Sequence, residues 1–339
     1  MQRVFLYATA TALLLAAPSA PAQSPPAYHL EKTVTLGAPD RWDYVVFDPQ
    51  SQRVFVAHGD RVTIVNGRDG TILGHVEGMP GASHGIGIST ANGRGYTNDG
   101  QAGEAVSFDL QTLRVTNRIP AGKDSDAITV EPITGHVFVA NGASRTMTVI
   151  DPRTDSLIAS IDVGGRLEYA VGDNGKVYVN VLDKNVIARI DAATNQVDAQ
   201  WPLAGCITPH GLAIDSRGRR LFSTCVNGVM AILNAENGAL VAAMPIGKDT
   251  DAAAFDPGRK LIFSSSNEGT ISVIAEKDPD HFVSLGSFPT AFSGRTMAID
   301  PDSGRLFVAA ADYDPTALRA PGRPRPIPGS LKLLFFDPS

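Results

Sequence analysis

Seven polar residues stand at equivalent points of a repeating sequence: Asp43, His84, Asp126, Glu168, His210, Asp251 and Arg295. Each lies five residues before a turn residue: Asp48, Ser89, Glu131, Asp173, Asp215, Asp256 or Asp300. With neutral histidines the set carries a formal charge of −3. Brought together, such groups could do three kinds of chemistry. Imidazole with carboxylate suits zinc or another first-row ion, and carboxylates with water suit calcium or magnesium. Carboxylates crowded without a cation repel, raise each other's pKa and can transfer protons. His84, His210 and Arg295 break the run of acids, so repetition explains them least. The metal set expected from these residues is His84, His210 and Glu168, with His58 and Asp99 as secondary candidates on the same face. The competing structural reading is that a channel aspartate bonds backbone N–H groups of neighbouring strands, which suits Asp43, Asp126 and Asp251 best.

Other chemical signals are weaker. Gly81-Ala82-Ser83-His84-Gly85 has the G-x-S-x-G spacing of a nucleophile elbow. That motif works on a strand–turn–helix, and here a strand follows. No H-E-x-x-H zinc motif, phosphate loop or C-x-x-C-H haem site occurs.

The elements that must position the seven residues repeat as well. Units begin near Asp40, Ala82, Asp124, Arg166, Cys206, Asp249 and Phe292, and run 40 to 48 residues. Within a unit, four runs rich in β-branched residues are separated by turn signals such as Glu131-Pro132, Asn141-Gly142 and Asp151-Pro152. Asn66, Asp109, Asp151, Asp191, Asn234 and Asp337 follow the third run and suit Asx turns. No helical pattern of 10–15 residues separates the strands, which excludes a doubly wound α/β fold. Four antiparallel strands per unit, seven times over, predict an all-β, seven-bladed β-propeller. The last unit stops after its third strand, Leu331 to Asp337. An unassigned strand, Tyr28 to Leu36, would complete blade seven and close the ring. Innermost strands line a propeller's channel, so their first residues converge at one mouth.

Arg53-Val54-Phe55-Val56-Ala57, His136-Val137-Phe138-Val139-Ala140-Asn141 and Lys176-Val177-Tyr178-Val179-Asn180 resemble the core of the YVTN β-propeller repeat. Thr148-Val149-Ile150-Asp151 fits it too, and the resemblance covers nearly all of residues 23–339. It implies an exported, YncE-like propeller and supplies no catalytic motif. Propeller scaffolds host binding, hydrolysis, lysis and redox alike.

Composition sets the remaining bounds. At 43% hydrophobic residues, the chain of 339 has material for a core. Its net charge of −6 and lack of a basic stripe argue against nucleic acid. Arg3, the apolar run Val4 to Ala17 and Ala20-Pro21-Ala22 read as a cleavable signal peptide over 1–22. Residues 23–339 then form one exported domain, periplasmic or secreted, with no membrane span. In an oxidising compartment the two cysteines, Cys206 and Cys225, are expected to pair. Residues 311–332 insert into blade seven with Pro315, Pro321, Pro324, Pro326 and Pro328 and three arginines. They predict an extended, semi-rigid segment on the ring's face, a lid or a protein contact.

The leading expectation is a soluble propeller binding a small polar ligand or a cation at the channel mouth. A metal-assisted hydrolase or lyase using the same ring is the enzymatic alternative; the only cofactor suggested is a divalent metal ion. There His84 or His210 would act as ligand or base, and Arg295 would hold an anionic group. The third alternative is a protein-interaction scaffold using the Pro-rich insertion.

Overall fold

The computed structural model describes residues 27–319 and 323–339. The expected signal peptide, 1–22, lies outside them. Seven four-stranded antiparallel sheets form the blades of a β-propeller. Blade one is Val45–Asp48, Arg53–His58, Arg61–Asn66 and Ile72–Glu77, from channel to rim. Blades two to six repeat that order, with innermost strands Gly87–Ser89, Ser125–Val130, Leu167–Asp173, Pro209–Asp215 and Thr250–Asp256.

Blade seven takes its inner strands, Thr296–Ile299, Leu306–Ala310 and Lys332–Pro338, from the C-terminal end of the chain and its outer one, Tyr28–Thr35, from the N-terminal side. Tyr28 faces Pro338 and Thr35 faces Lys332. The expected closure is therefore realised. Ring closure covers the outer edge of Lys332–Pro338, whose open N–H and C=O groups would otherwise invite pairing with another chain.

The local sequence explains why the blades recur. Each second strand carries one aromatic at the same register: Phe55, Tyr96, Phe138, Tyr178, Phe222, Phe263 and Phe307, all fully buried. A buried aromatic of this size contributes about 1.5–3 kcal/mol, so the repeated residue is also the repeated source of cohesion. The turn into that second strand needs a left-handed residue. Gly93, Gly135 and Gly304 supply it freely, whereas Gln52, Arg219 and Lys260 adopt it at a cost. Asn66, Asp109, Asp151, Asp191 and Asn234 accept backbone N–H bonds two or three residues on, as expected of Asx turns. Asp337 does not. Its two carboxylate oxygens instead accept from Nε and Nη2, one edge of the Arg305 guanidinium.

Cys206 and Cys225 form a disulfide, with Cα atoms 5.4 Å apart and both residues buried. The bridge closes a loop of sequence separation 19. The chain-entropy model gives such a loop about 3 kcal/mol. Reducing the bond should lower unfolding free energy by about that amount in denaturant titrations with and without reductant. An unchanged midpoint would mean the crosslink is thermodynamically silent.

The insertion in blade seven is extended, as expected, but doubles back on itself. Tyr313–Arg319 and Arg323–Pro326 pair as an antiparallel hairpin rather than a single extended segment. Proline lacks only its own N–H, so Pro-rich strands can still pair through their other positions. Asp40 anchors the return by accepting the N–H groups of Gly329 and Leu331, at 2.7 and 2.9 Å.

Candidate functional site: the acidic mouth of the channel

The seven expected ring residues do converge. All of them line one cavity of about 770 Å³ at the channel mouth. Tyr44, next in sequence to Asp43, also reaches a ring residue. From blade one it crosses the channel to meet the Tyr169 ring of blade four edge-on, with centroids 4.9 Å apart. Its hydroxyl lies 3.4 Å from Glu168 Oε1. Burial, reinforced by Asp126 and Glu168, pushes the Tyr44 phenol well above its ordinary pKa. It therefore stays protonated and donates.

Backbone positions of the ring are fixed by polar side chains of the second strands. Asn98 Nδ2 of blade two donates to the carbonyl of Asp126 in blade three, at 2.6 Å. Asn180 Nδ2 of blade four donates to the carbonyl of His210 in blade five, at 2.7 Å. Ser265 of blade six donates to the carbonyl of Arg295 in blade seven. All three are fully buried. Removing one leaves a buried carbonyl without its partner. Asn180 also accepts the Ser223 hydroxyl at 2.9 Å. Asn180→Ala should therefore cost about 2 kcal/mol or more by denaturant unfolding. A loss below ~0.5 kcal/mol would deny it this bracing role.

The ring divides into two triads. Asp43, His84 and Asp126 place one donor atom each within 4.8 Å of the others, and Glu168, His210 and Asp251 do the same. Each triad puts a histidine between carboxylates from the two neighbouring blades. The expected metal set of His84, His210 and Glu168 is thus not one cluster. A side chain at the mouth reaches its immediate ring neighbours, and His84 and His210 are three blades apart. His58 and Asp99 also fall outside the cavity lining among the described residues. His58 Nε2 lies 2.8 Å from the Pro39 carbonyl and Nδ1 lies 2.8 Å from the Thr63 hydroxyl, so both ring nitrogens are engaged. Burial lowers its pKa, partly offset by the Pro39 and Gly37 carbonyls. Asp99 accepts backbone N–H groups of Gly81 and Ala102. Ser83, the serine of the elbow-like motif, is buried and bonded to Thr97 Oγ1 at 2.8 Å.

Electrostatics separate the two triads. His84 Nδ1 lies 2.6 Å from Asp43 Oδ2. Burial opposes charge on this imidazole, but the bond and charge of Asp43 outweigh it and raise its pKa. His210 Nδ1 lies 3.0 Å from Asp251 Oδ1 and 3.8 Å from Glu168 Oε1. Although burial opposes it, the carboxyl of Asp251 is lowered by the His210 bond and by Arg295. Asp126 and Glu168, from adjacent blades, go the other way. Burial, then Glu168 and Asp43, hold Asp126 well above the usual carboxylate range. Burial, then Asp251 and Asp43, push Glu168 up to about 8. At neutral pH Glu168 thus keeps its proton, because burial and neighbouring acids disfavour its charged form.

Sequence reasoning missed Tyr44, Trp42, the bracing residues Asn98, Asn180 and Ser265, and the aromatic edge of Phe292 and Tyr313. The last two meet edge-on at 5.3 Å and both line the cavity. Tyr44 and Trp42 flank Asp43 directly, which was the available signal.

Residues 57–238, just over half of the chain, match the family model described as glutamine cyclotransferase. A search of curated protein sequences returns no match. Solved structures share the architecture at low identity. The Kuenenia stuttgartiensis hydrazine synthase is 14% identical with a TM-score of 0.69, over 78% of this chain and 91% of that one. U3-55K is 10% identical with a TM-score of 0.76, over 92% and 99%. A chain of the mitotic checkpoint complex is 15% identical with a TM-score of 0.72, over 97% and 98%. At such identities the likeness shows the propeller fold alone.

Proposed function

The chain belongs to the glutamine cyclotransferase family, and we propose that its channel mouth binds the cationic group of a small polar ligand. The observation that carries this reading is the crowding of Asp126 and Glu168, whose half-buried carboxyls are pushed up by burial and by neighbouring acids. A cation placed between them supplies the missing countercharge and releases the protons. An organic ammonium and a divalent ion both meet that requirement. Each triad offers three donor atoms of a type that suits a first-row ion.

Export fits the same reading. The disulfide suits an oxidising compartment, and no helix among the described residues is long and apolar enough to cross a membrane. The YVTN-like repeats point to exported propellers as well. The test is competition: propylammonium and Zn²⁺ should each bind the purified protein and displace one another. Binding of both without competition would place the cation elsewhere.

Family membership favours a second, catalytic reading, cyclisation of an N-terminal glutamine. Its α-amine would attack the side-chain carboxamide carbon, forming the new C–N bond as the C–NH₂ bond breaks. His210 would take the proton from the attacking nitrogen. Glu168, protonated at neutral pH, would give one to the departing ammonia. A peptide beginning with glutamine should then lose one ammonia in mass, and Glu168→Gln should stop it. No mass change with wild type would end this reading and leave the binding proposal intact.

A further inference from the structure

Among the described residues, ten buried side-chain polar atoms lack a hydrogen-bond partner, and five belong to ring residues or their immediate chain neighbours. Four of those five lie on one arc, blades six, seven and one: Thr250 Oγ1, Arg295 Nε, Thr296 Oγ1 and Trp42 Nε1. Each can donate. Buried polar atoms are nearly always paired, so a run of orphan donors on one arc is itself informative.

The arc has a cationic centre. Arg295 lines the cavity with its side chain 39% exposed. Its guanidinium stands over the Trp42 ring at 5.8 Å and donates from Nη2 to the Trp42 carbonyl at 3.4 Å. Its Nε is 3.2 Å from Asp251 Oδ2 without the alignment of a hydrogen bond. Trp42 and Thr250 line the same cavity, and both are at least nine-tenths buried. The opposite side of the mouth holds Asp126 and Glu168. One wall therefore crowds carboxyls, and the other holds donors without an aligned acceptor.

We propose that Thr250, Arg295 and Trp42 form an acceptor-binding pole, so that the ligand is a small amino-acid-like zwitterion. Its ammonium lies against Asp126 and Glu168, and its carboxylate lies against Arg295. This rests on the cation-binding reading above and adds the second pole. A monoanion fits better than a phosphate dianion. One guanidinium faces it, the other donors are neutral, and the surrounding ring is formally negative.

Three probes share one carbon chain: L-2-aminobutyrate, propylamine without the carboxylate, and butyrate without the amine. Calorimetry should find L-2-aminobutyrate at least roughly tenfold tighter than propylamine. Arg295→Gln should erase that preference while leaving propylamine binding in place, and Arg295→Lys should keep part of it. In a Trp201→Phe background Trp42 is the sole indole, and its emission should respond to L-2-aminobutyrate more than to propylamine. Equal affinity of the two amines for wild type overturns the acceptor pole and leaves the cation site standing. Failure of both amines overturns the cation site, and this inference with it. Displacement of L-2-aminobutyrate by inorganic phosphate more strongly than by butyrate overturns the carboxylate assignment.

Discussion

Glu168→Gln should make the protein more stable than wild type at pH 8 and flatten the pH dependence of cation binding. The folded-state pKa of Glu168 is raised from an ordinary 4.5 to about 8, so the folded chain holds this proton more tightly than the unfolded chain. Between those values the native state binds more protons. Wild-type stability contributed by this group therefore falls as pH rises from 4.5 toward 8. Glutamine stays neutral throughout and removes that fall. Asp126, relieved of the Glu168 charge, moves back toward the ordinary carboxylate range. Melting temperatures of the two proteins should nearly coincide at pH 4.5 and separate progressively up to pH 8, with the variant higher. Binding runs in the opposite sense. Wild-type affinity for a cation should climb by up to roughly tenfold per pH unit while Glu168 is titrating, because each binding event must expel its proton. The variant should bind weakly at all these pH values. A variant whose melting and binding profiles both track wild type would remove Glu168 from the account.

His84→Ala should show the converse pH signature. Its imidazole is raised above the ordinary 6.5 by Asp43, despite the opposing effect of burial. A raised histidine contributes stability fully below its unfolded pKa and loses it as pH rises through its folded pKa. The variant should therefore melt lower than wild type at pH 5.5–6 and approach it at alkaline pH. Melting curves across that range decide the matter. A deficit independent of pH would assign His84 a packing role instead of a charge-balancing one.

The fold was legible because a propeller repeats its local chemistry. Turn residues, β-branched runs and one aromatic per second strand recur at each unit, and the strand Tyr28–Thr35 was visible as the piece missing from blade seven. The ring was legible for the same reason, since alignment alone brings seven positions to one mouth. What repetition could not carry is contact between non-equivalent residues. Tyr44 crosses to blade four, a relation set by ring diameter and not by any local pattern. The split of the ring into two triads depends on side-chain reach, which undid the expected union of His84 with His210. Asn98, Asn180 and Ser265 look like ordinary strand residues until the next blade's carbonyl is beside them. The hairpin in the insertion was obscured by its prolines, which read as one extended run and carry no signal for the pairing of its two halves.

The most direct test is the proton count on cation binding at the mouth. Propylammonium is titrated into wild-type protein at pH 7 by calorimetry in two buffers of different ionisation heat. Raised carboxyls at Asp126 and Glu168 predict release of about one proton per cation bound, and less in Glu168→Gln. Saturable binding with no proton released, or no binding at all by propylammonium or Zn²⁺, would contradict an acidic mouth built to receive a cation.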